Sequence, residues 1–435
     1  MDKVSLMLHP WVTFKNWLTG YLPSETLRKN VWYSNLDAGF FSAMAGLTGS
    51  FMSVYALKLG ASEQMLAVMS SGPALMALVA QVPSAMMTER TEKKKKPILL
   101  WASLHRIWYL VYAFIPFLPI APVHKAWLFI LLVTLMNFPA NVANIMWTQM
   151  MGEIIPSGNR GRVFGDRNFL AGWFSLGSMM LAGPLLDYIP YPYNYTVLFV
   201  LSFICLSVST FYLARMEEVK TSEAPASSVR SAGVWEGFKV IFKDKQFMSF
   251  VAAAFVFNMG FGISSSMWTI NYVRDLHLTN TQIAFASILS SLATTLSYPY
   301  WGRTIDKIGS KSVYLISLFI FIFRPWIQAL VTPDTLWLMW TFSFATGVAQ
   351  SAFNLSQFNT LLVVAPDPNM RPSYLAFFNI AVQTVAFIFP MIGVQIYKAF
   401  GNQVDPVFYL SSMIRVVGAS ILAWSLTRAD RKRKA

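Results

Sequence analysis

The stretch WGRTIDKIGSK, Trp301–Lys311, places four charged residues between two uncharged, largely apolar segments. The segment before it reads IAFASILSSLATTLSYPY and the segment after it reads SVYLISLFIFIF. A helix of about 20 apolar residues crosses the hydrocarbon core of a bilayer, whereas charged side chains are costly there. The pattern therefore predicts two membrane-spanning helices that are joined by a short charged connection.

The same alternation continues along the whole chain of 435 residues, of which 55% are hydrophobic and only 12% are charged. A soluble domain carries about 25% charged residues. Because the apolar runs are too long for membrane strands, we predict an all-α membrane protein. Its twelve predicted transmembrane helices are 31–57, 65–87, 98–118, 126–151, 169–189, 195–214, 248–272, 283–301, 312–331, 335–361, 373–396 and 406–427.

Basic residues are distributed unevenly between the two sides of the predicted membrane. Of the 34 Lys and Arg residues, 27 fall in the termini and every second loop, and 4 fall in the other loops. Cytoplasmic loops carry such an excess, so we predict a multi-pass protein of the cell (inner) membrane with both termini in the cytoplasm. The net charge of +14 then faces cytoplasm and lipid headgroups rather than nucleic acid. The first thirty residues lack the pattern of a signal peptide.

Residues with the chemistry of catalysis or metal binding are sparse. The chain has one cysteine, Cys205, and four histidines that lie far apart. It contains no HExxH, GxSxG or phosphate-loop motif. We therefore expect no enzyme activity, no bound metal and no cofactor.

A polar stretch divides the predicted helices into two groups of six. The expected organisation is an N-terminal cytoplasmic or interfacial segment 1–30, a six-helix bundle 31–214, a cytoplasmic linker 215–247 with an amphipathic helix, a six-helix bundle 248–427 and a basic tail 428–435. The amphipathic helix is expected to place its apolar residues toward lipid, namely Trp235, Phe238, Ile241 and Phe242. The two halves share residues at a constant offset, namely Asn144 with Asn354, Pro156 with Pro366 and Asn159 with Asn369. Internal repeats around a central linker are typical of secondary transporters.

The opening stretch resembles the G-x-x-x-D-x-x-G-x-K/R motif of the major facilitator superfamily, here between predicted spans eight and nine. The corresponding first-half segment, AMMTERTEKK at 85–94, is a degenerate copy. The resemblance implies two pseudo-symmetric six-helix bundles that transport a solute by alternating access. It also implies a conformational switch formed by Glu89, Arg90, Gly302, Arg303, Asp306, Gly309 and Lys311.

Physical chemistry suggests a role for two residues of this motif. Gly302 has no Cβ, so a neighbouring helix could pack closely against it. The Asp306 carboxylate could dock at a helix N-terminus, where the helix dipole favours an anion, and the resemblance implies that span eleven is the partner. The alternative is a charged cytoplasmic turn with no switching role.

In the family, spans one, four, seven and ten line a central cavity. Spans four and ten both carry amide side chains at i, i+4 and i+7, which lie on one face of a helix. The expected cavity residues are Asp37, Asn141, Asn144, Asn258, Gln350, Asn354 and Gln383. The alternative is hydrogen bonding between helices, which contributes about 0.6 kcal/mol per pair.

Four charges lie well inside predicted spans, away from the span ends. Asp37 lies on a cavity-lining span, which makes it the candidate for proton coupling, and the alternative is that its side chain extends to the membrane surface. Arg106, Arg324 and Arg415 lie deep in spans three, nine and twelve. We expect these arginines to point inward and pair with amides or carbonyls, and the alternative is a role in binding substrate or in coupling.

Together these features predict a monomeric secondary active transporter in the lipid bilayer. Its expected partners are a small-molecule substrate and H⁺, and export is favoured over import. Trp147 and Trp268 on cavity spans suit an amphipathic or hydroxylated organic solute. The alternatives are a lipid or glycolipid flippase on the same fold, and a non-transporting membrane receptor or assembly factor.

Overall fold

The computed structural model describes residues 14–16, 18–91, 93–156, 159–218, 241–365 and 371–434. Regular secondary structure in these residues is entirely helical. The α-helices are α1 Glu25–Thr48, α2 Met52–Lys58, α3 Glu63–Arg90, α4 Lys95–Arg106, α5 Trp108–Phe114, α6 Pro122–Ile154, α7 Arg160–Tyr188, α8 Tyr193–Arg215, α9 Lys245–Ser264, α10 Met267–Ile270, α11 Asn280–Ile308, α12 Ser310–Gln328, α13 Leu336–Val364, α14 Arg371–Ala399 and α15 Asp405–Lys434. Short 3-10 turns occupy Ile115–Phe117 and Pro333–Thr335, and a π-helical turn occupies Asn271–Asp275.

The predicted class, an all-α membrane protein, is confirmed. Ten described helical segments are long and apolar enough to cross a membrane. Two more 29-residue helices, α11 and α13, occupy predicted spans eight and ten. Their Ser, Thr, Asn and Gln side chains lower their hydropathy, and in α13 these side chains include the amide stripe predicted for span ten.

Three of the predicted spans are interrupted helices. Span one breaks between α1 and α2, span three breaks at Ile107, and span seven breaks after Ser264. At the last of these breaks the Ser265 hydroxyl donates to the Gly262 carbonyl at 2.8 Å. A serine hydroxyl that bonds a preceding carbonyl competes with the helical backbone bond, which favours an ending there.

The chain forms two compact units that divide within α3 and α6. The first unit comprises Met1–Gly49, Ala80–Ile115 and Phe138–Ser227, and the second comprises Ser50–Val79, Pro116–Asn137 and Ser228–Ala435. These units differ from the six-helix bundles 31–214 and 248–427, which stay a prediction from the sequence.

In the first unit, α1 packs against α7 and α8. A Cβ on Gly46 would lie 2.3 Å from the Ser175 carbonyl oxygen, so the missing side chain permits this close approach. The core beneath is aliphatic and methionine-rich, and includes Val31, Ile98 and Met146. This packing holds α1 and the polar groups it carries in a fixed position.

In the second unit, α9 packs against α14 and α15, and α13 packs against α11 and α12. Asp244 caps α9 by accepting hydrogen bonds from the Gln246 and Phe247 amides, which satisfies two free N–H groups at that end. The preceding linker helix was expected to place Ile241 and Phe242 toward lipid. Phe242 is exposed, but Ile241 is fully buried in the core of this unit, so that part of the prediction is wrong.

The opening stretch is helical rather than a loop. Helix α11 continues to Ile308, and Gly309 is the single residue between α11 and α12. Its φ of 83° lies in the region that glycine adopts without strain. The predicted connection is therefore a one-residue helix break, because the charged residues extend α11 beyond its apolar part.

The close packing expected around Gly302 is not present among the described residues, where a Cβ would meet no heavy atom within 4 Å, and it stays a prediction. The side chain of Asp306 is exposed and forms no hydrogen bond or ion pair with a described residue. Its docking on span eleven therefore stays a prediction for another conformation. The side chains of Glu89 and Arg90 and the residues Pro366 and Asn369 lie outside the described part.

Close helix packing is instead found at Gly347, where a Cβ would lie 2.2 Å from the Ser290 carbonyl oxygen. We expect Gly347→Ala to destabilise the protein by about 1–3 kcal/mol, because α11 and α13 must separate. Gly302→Ala is the matched control, and it should leave stability unchanged or slightly higher because alanine is the better helix former. Unfolding temperatures of the purified proteins in detergent test this, and equal values for both variants would contradict it.

Candidate functional site

A cavity of about 110 Å³ lies inside the first unit. Its wall comes from five helices, so it depends on the packing of α1, α4, α6, α7 and α8. The residues that line it are Asp37, Phe41, Ile98, Ala102, His105, Arg106, Ala140, Ala143, Asn144, Trp147, Arg167 and Leu213. Charged side chains are thus gathered within membrane-spanning helices, where they mark functional sites more often than on a surface.

Asp37 lies on α1 and is 5% exposed. Its Oδ1 accepts a hydrogen bond from the Ser209 hydroxyl at 2.6 Å and one from the Arg106 guanidinium at 3.4 Å. Its Oδ2 forms no hydrogen bond with a described residue. One oxygen is therefore anchored to the helices while the carboxyl group remains on the cavity wall.

Arg106 is the last residue of α4, next to the break in span three. Its guanidinium donates to the Thr210 hydroxyl and to Asp37. The sequence led us to expect amide or carbonyl partners, and the structure places a carboxylate and a hydroxyl there instead. The reason is that α1 and α8 bring Asp37 and Thr210 to the same side of α4.

Arg167 is a cavity residue that the sequence prediction missed. Span five was expected to begin at residue 169, but α7 begins at Arg160 and brings Arg167 into the wall. The guanidinium stacks on the Trp147 ring with 4.2 Å to the ring centre, and Asp37 interacts with it electrostatically. The available signal was the continuous run RVFGDRNF, which contains no helix breaker other than one glycine.

Another basic residue of the same helix lies outside the cavity. Arg162 stacks on Tyr21 at 3.7 Å, and the Tyr21 hydroxyl donates to Asp166 at 3.2 Å. Burial and the Asp166 carboxylate raise the pKa of Tyr21 to about 12. Arg162 is therefore a comparable stacked arginine without access to the cavity.

Of the amides expected on span four, Asn144 lines the cavity and Asn141 lies half-buried one turn before it. The other expected amides lie in the second unit. Asn258 donates to the Ala254 carbonyl of its own helix at 2.8 Å. Gln350 donates to Asn354 at 2.8 Å, Asn354 donates to the Tyr298 hydroxyl at 3.1 Å, and Gln383 is half-buried. Several of these amides therefore bond one another or their own backbone.

The two remaining intramembrane arginines also lie in the second unit. Arg415 is 1% exposed and donates to the Phe321 carbonyl at 2.8 Å and the Ser264 hydroxyl at 3.1 Å. Arg324 stacks on Trp268 at 4.4 Å. The carbonyl partner expected for these arginines is thus present at Arg415.

Several contacts within the second unit connect α2, α3 and the residues before them to helices from the second half of the chain. The Ser50 and Ser287 hydroxyls are 2.9 Å apart, and Arg274 forms an ion pair with Glu63. Water can replace either partner in these polar contacts. In this conformation they hold Ser50 and the start of α3 against residues from the second half of the chain.

The sequence profile of the Major Facilitator Superfamily matches residues 38–277 and 250–435. No curated protein matches the sequence. Among solved structures, the nucleoside transporter NupG is 14% identical, with a TM-score of 0.67 over 93% of this chain and 99% of that chain. A bacterial homologue of the human lysosomal transporter Spinster is 11% identical, with a TM-score of 0.65 over 93% and 96%. A D-xylose–proton symporter is 13% identical, with a TM-score of 0.65 over 91% and 96%.

Proposed function

Because the chain belongs to the Major Facilitator Superfamily, we propose that it is a secondary active transporter that moves a small organic solute and couples this movement to protons. The observation that carries the proposal is the Asp37–Arg106 pair on the wall of a cavity, inside membrane-spanning helices. Both side chains are less than a tenth exposed. A carboxylate in such a place is a functional group by default.

Protonation of Asp37 would change the interactions around the cavity. The ionised carboxylate attracts Arg106 in surroundings of low dielectric constant, where Coulomb interactions are strong. A neutral carboxyl group loses most of that attraction, and Arg106 is then free to move. Proton binding at Asp37 can therefore bias the positions of α1 and α4, which is the link that coupling requires.

The polar contacts of the second unit support alternating access. For the end of the spans near Glu63 to open, the ion pair with Arg274 and the Ser50–Ser287 contact must break. An exposed ion pair contributes only about 0.2–1 kcal/mol, so a change at the cavity can offset its loss. The excess of basic residues further supports a location in the cell membrane with both termini in the cytoplasm. We also propose that the protein exports its solute and acts as a monomer.

Reconstitution into liposomes with an entrapped pH dye tests the proposal. We expect a solute that the protein carries to move protons across the membrane when it is added, and an imposed pH gradient to drive its accumulation. Nucleosides and xylose, which two of the structural neighbours carry according to their names, are suitable first solutes beside simple organic acids and amides. Solute uptake that neither moves protons nor responds to the gradient would contradict coupling, and protein-free liposomes are the control.

A further inference from the structure

The cavity of the first unit has an excess of positive charge. Among its described wall residues, Asp37 is the one carboxylate, whereas Arg106 and Arg167 both carry a guanidinium. Asp37 pairs with Arg106 and also interacts with Arg167, so one negative charge serves two positive ones. With His105 counted as neutral, one positive charge lacks a counter-ion. An uncompensated charge among membrane-spanning helices is costly, so the cavity is complementary to a single negative charge.

Arg167 has N–H groups that are available to donate hydrogen bonds to a solute. Its Nε is buried without a hydrogen-bond partner, and its guanidinium forms no hydrogen bond within the described chain. The Trp147 ring holds the guanidinium plane at 4.2 Å, which restricts its orientation without using an N–H group. A fixed guanidinium presents a planar fork that matches a carboxylate in a bidentate arrangement.

The rest of the cavity limits what can accompany the anion. Its volume of about 110 Å³ is similar to the ~150 Å³ cavity that holds benzene in another protein. Phe41, Ile98 and Leu213 contribute apolar surface. The cavity thus accommodates an anionic head with a small ring or a few methylene groups.

From this charge balance we propose that the solute is an organic monocarboxylate and that Arg167 pairs with its carboxylate group. A phosphate monoester carries about −1.5 to −2 charges at neutral pH and would exceed the single positive charge in excess. The inference rests on the proposed transport function, since the bound anion is the solute that is carried. It can nevertheless fail separately, because binding is measured without transport.

The test uses the full chain in nanodiscs of phosphatidylcholine, with and without added phosphatidylglycerol, and the probes benzoate, benzamide and phenyl phosphate. We expect benzoate to bind about ten- to a hundredfold more tightly than benzamide in calorimetric titrations, which is the effect of one charge-assisted pair. Benzoate should also slow the modification of Arg167 by phenylglyoxal, followed by mass spectrometry, whereas benzamide should not. Both measurements use the unaltered chain, so neither depends on whether a variant folds.

Variants then assign the effect to Arg167. Arg167→Gln should remove the preference for benzoate over benzamide, and Arg167→Lys should retain part of it, because the charge remains but the fork is lost. Arg162→Gln is the matched control, since Arg162 lies on α7 and also stacks on an aromatic ring. It should bind benzoate as the unaltered chain does.

Four results would overturn the proposal. The first is equal affinity for benzoate and benzamide, or no effect of benzoate on Arg167 modification at millimolar concentration. The second is tighter binding of phenyl phosphate than of benzoate. The third is protection of Arg167 by phosphatidylglycerol in the nanodisc but not by benzoate, which would assign the anion to a lipid headgroup. The fourth is an equal loss of binding in Arg162→Gln. Proton-coupled transport of neutral solutes alongside any of these would leave the proposed function intact.

Discussion

Proton-driven accumulation of solute should be lost in Asp37→Asn, while exchange of solute at equal concentrations on both sides should persist. If one proton moves with each solute, a pH difference of one unit can drive about tenfold accumulation. An asparagine cannot take up and release a proton, so the variant should reach only equal concentrations inside and outside. Exchange needs no net proton movement and depends on the cavity, whose size the substitution preserves.

Asparagine also keeps the oxygen that accepts from Ser209, so the local hydrogen bond can survive. Size-exclusion profiles and exchange rates would verify that the variant is folded. Asp306→Asn serves as a comparison, because Asp306 is an exposed acid on the second unit and should not alter the accumulation ratio. Undiminished accumulation in Asp37→Asn would place the coupling group elsewhere.

Composition and charge distribution were sufficient to predict the membrane class and the approximate positions of the helices. Their interruptions were not predictable, because hydropathy averaged over a span does not detect a single hydroxyl such as that of Ser265. Gly302 illustrates the same limit. Its place in a motif suggested close packing, but contacts depend on which helix lies opposite, and Gly347 is one of the glycines that have such a neighbour.

The site was predicted only in part, because its contacts also join residues that are distant in the sequence. Asp37 and Asn144 were identified because polar residues in apolar spans are conspicuous. The pairing of Asp37 with Arg106 joins residues 69 positions apart, and no local pattern contains that information. Arg167 was missed because a basic residue near a span end looks like a cytoplasmic anchor until the helix start is known.

Removal of the positive partner should strongly destabilise the first unit. In Arg106→Gln the buried Asp37 carboxylate loses its hydrogen-bonded ion-pair partner, and only the attraction of Arg167 is left. Breaking a buried ion pair costs about 3–5 kcal/mol, and Arg167 should keep the effect at the lower end of that range. The hydrogen bond from Ser209 remains, so the effect isolates the guanidinium. Unfolding of the purified protein by SDS in mixed micelles gives the free energies to be compared.

The double variant Asp37→Asn/Arg106→Gln should be more stable than Arg106→Gln, because it leaves no buried carboxylate without its hydrogen-bonded ion-pair partner. Residues in direct contact commonly deviate from additivity by about 0.5–3 kcal/mol, and we expect a deviation in that range. Combining Asp37→Asn with Arg162→Gln is the control, since Arg162 contacts Tyr21 rather than the cavity, and those effects should add. Additive effects in the Asp37–Arg106 cycle would mean that the 3.4 Å contact contributes no measurable coupling. Asp37 would then be held by Ser209 alone, and its protonation would have no electrostatic route to α4.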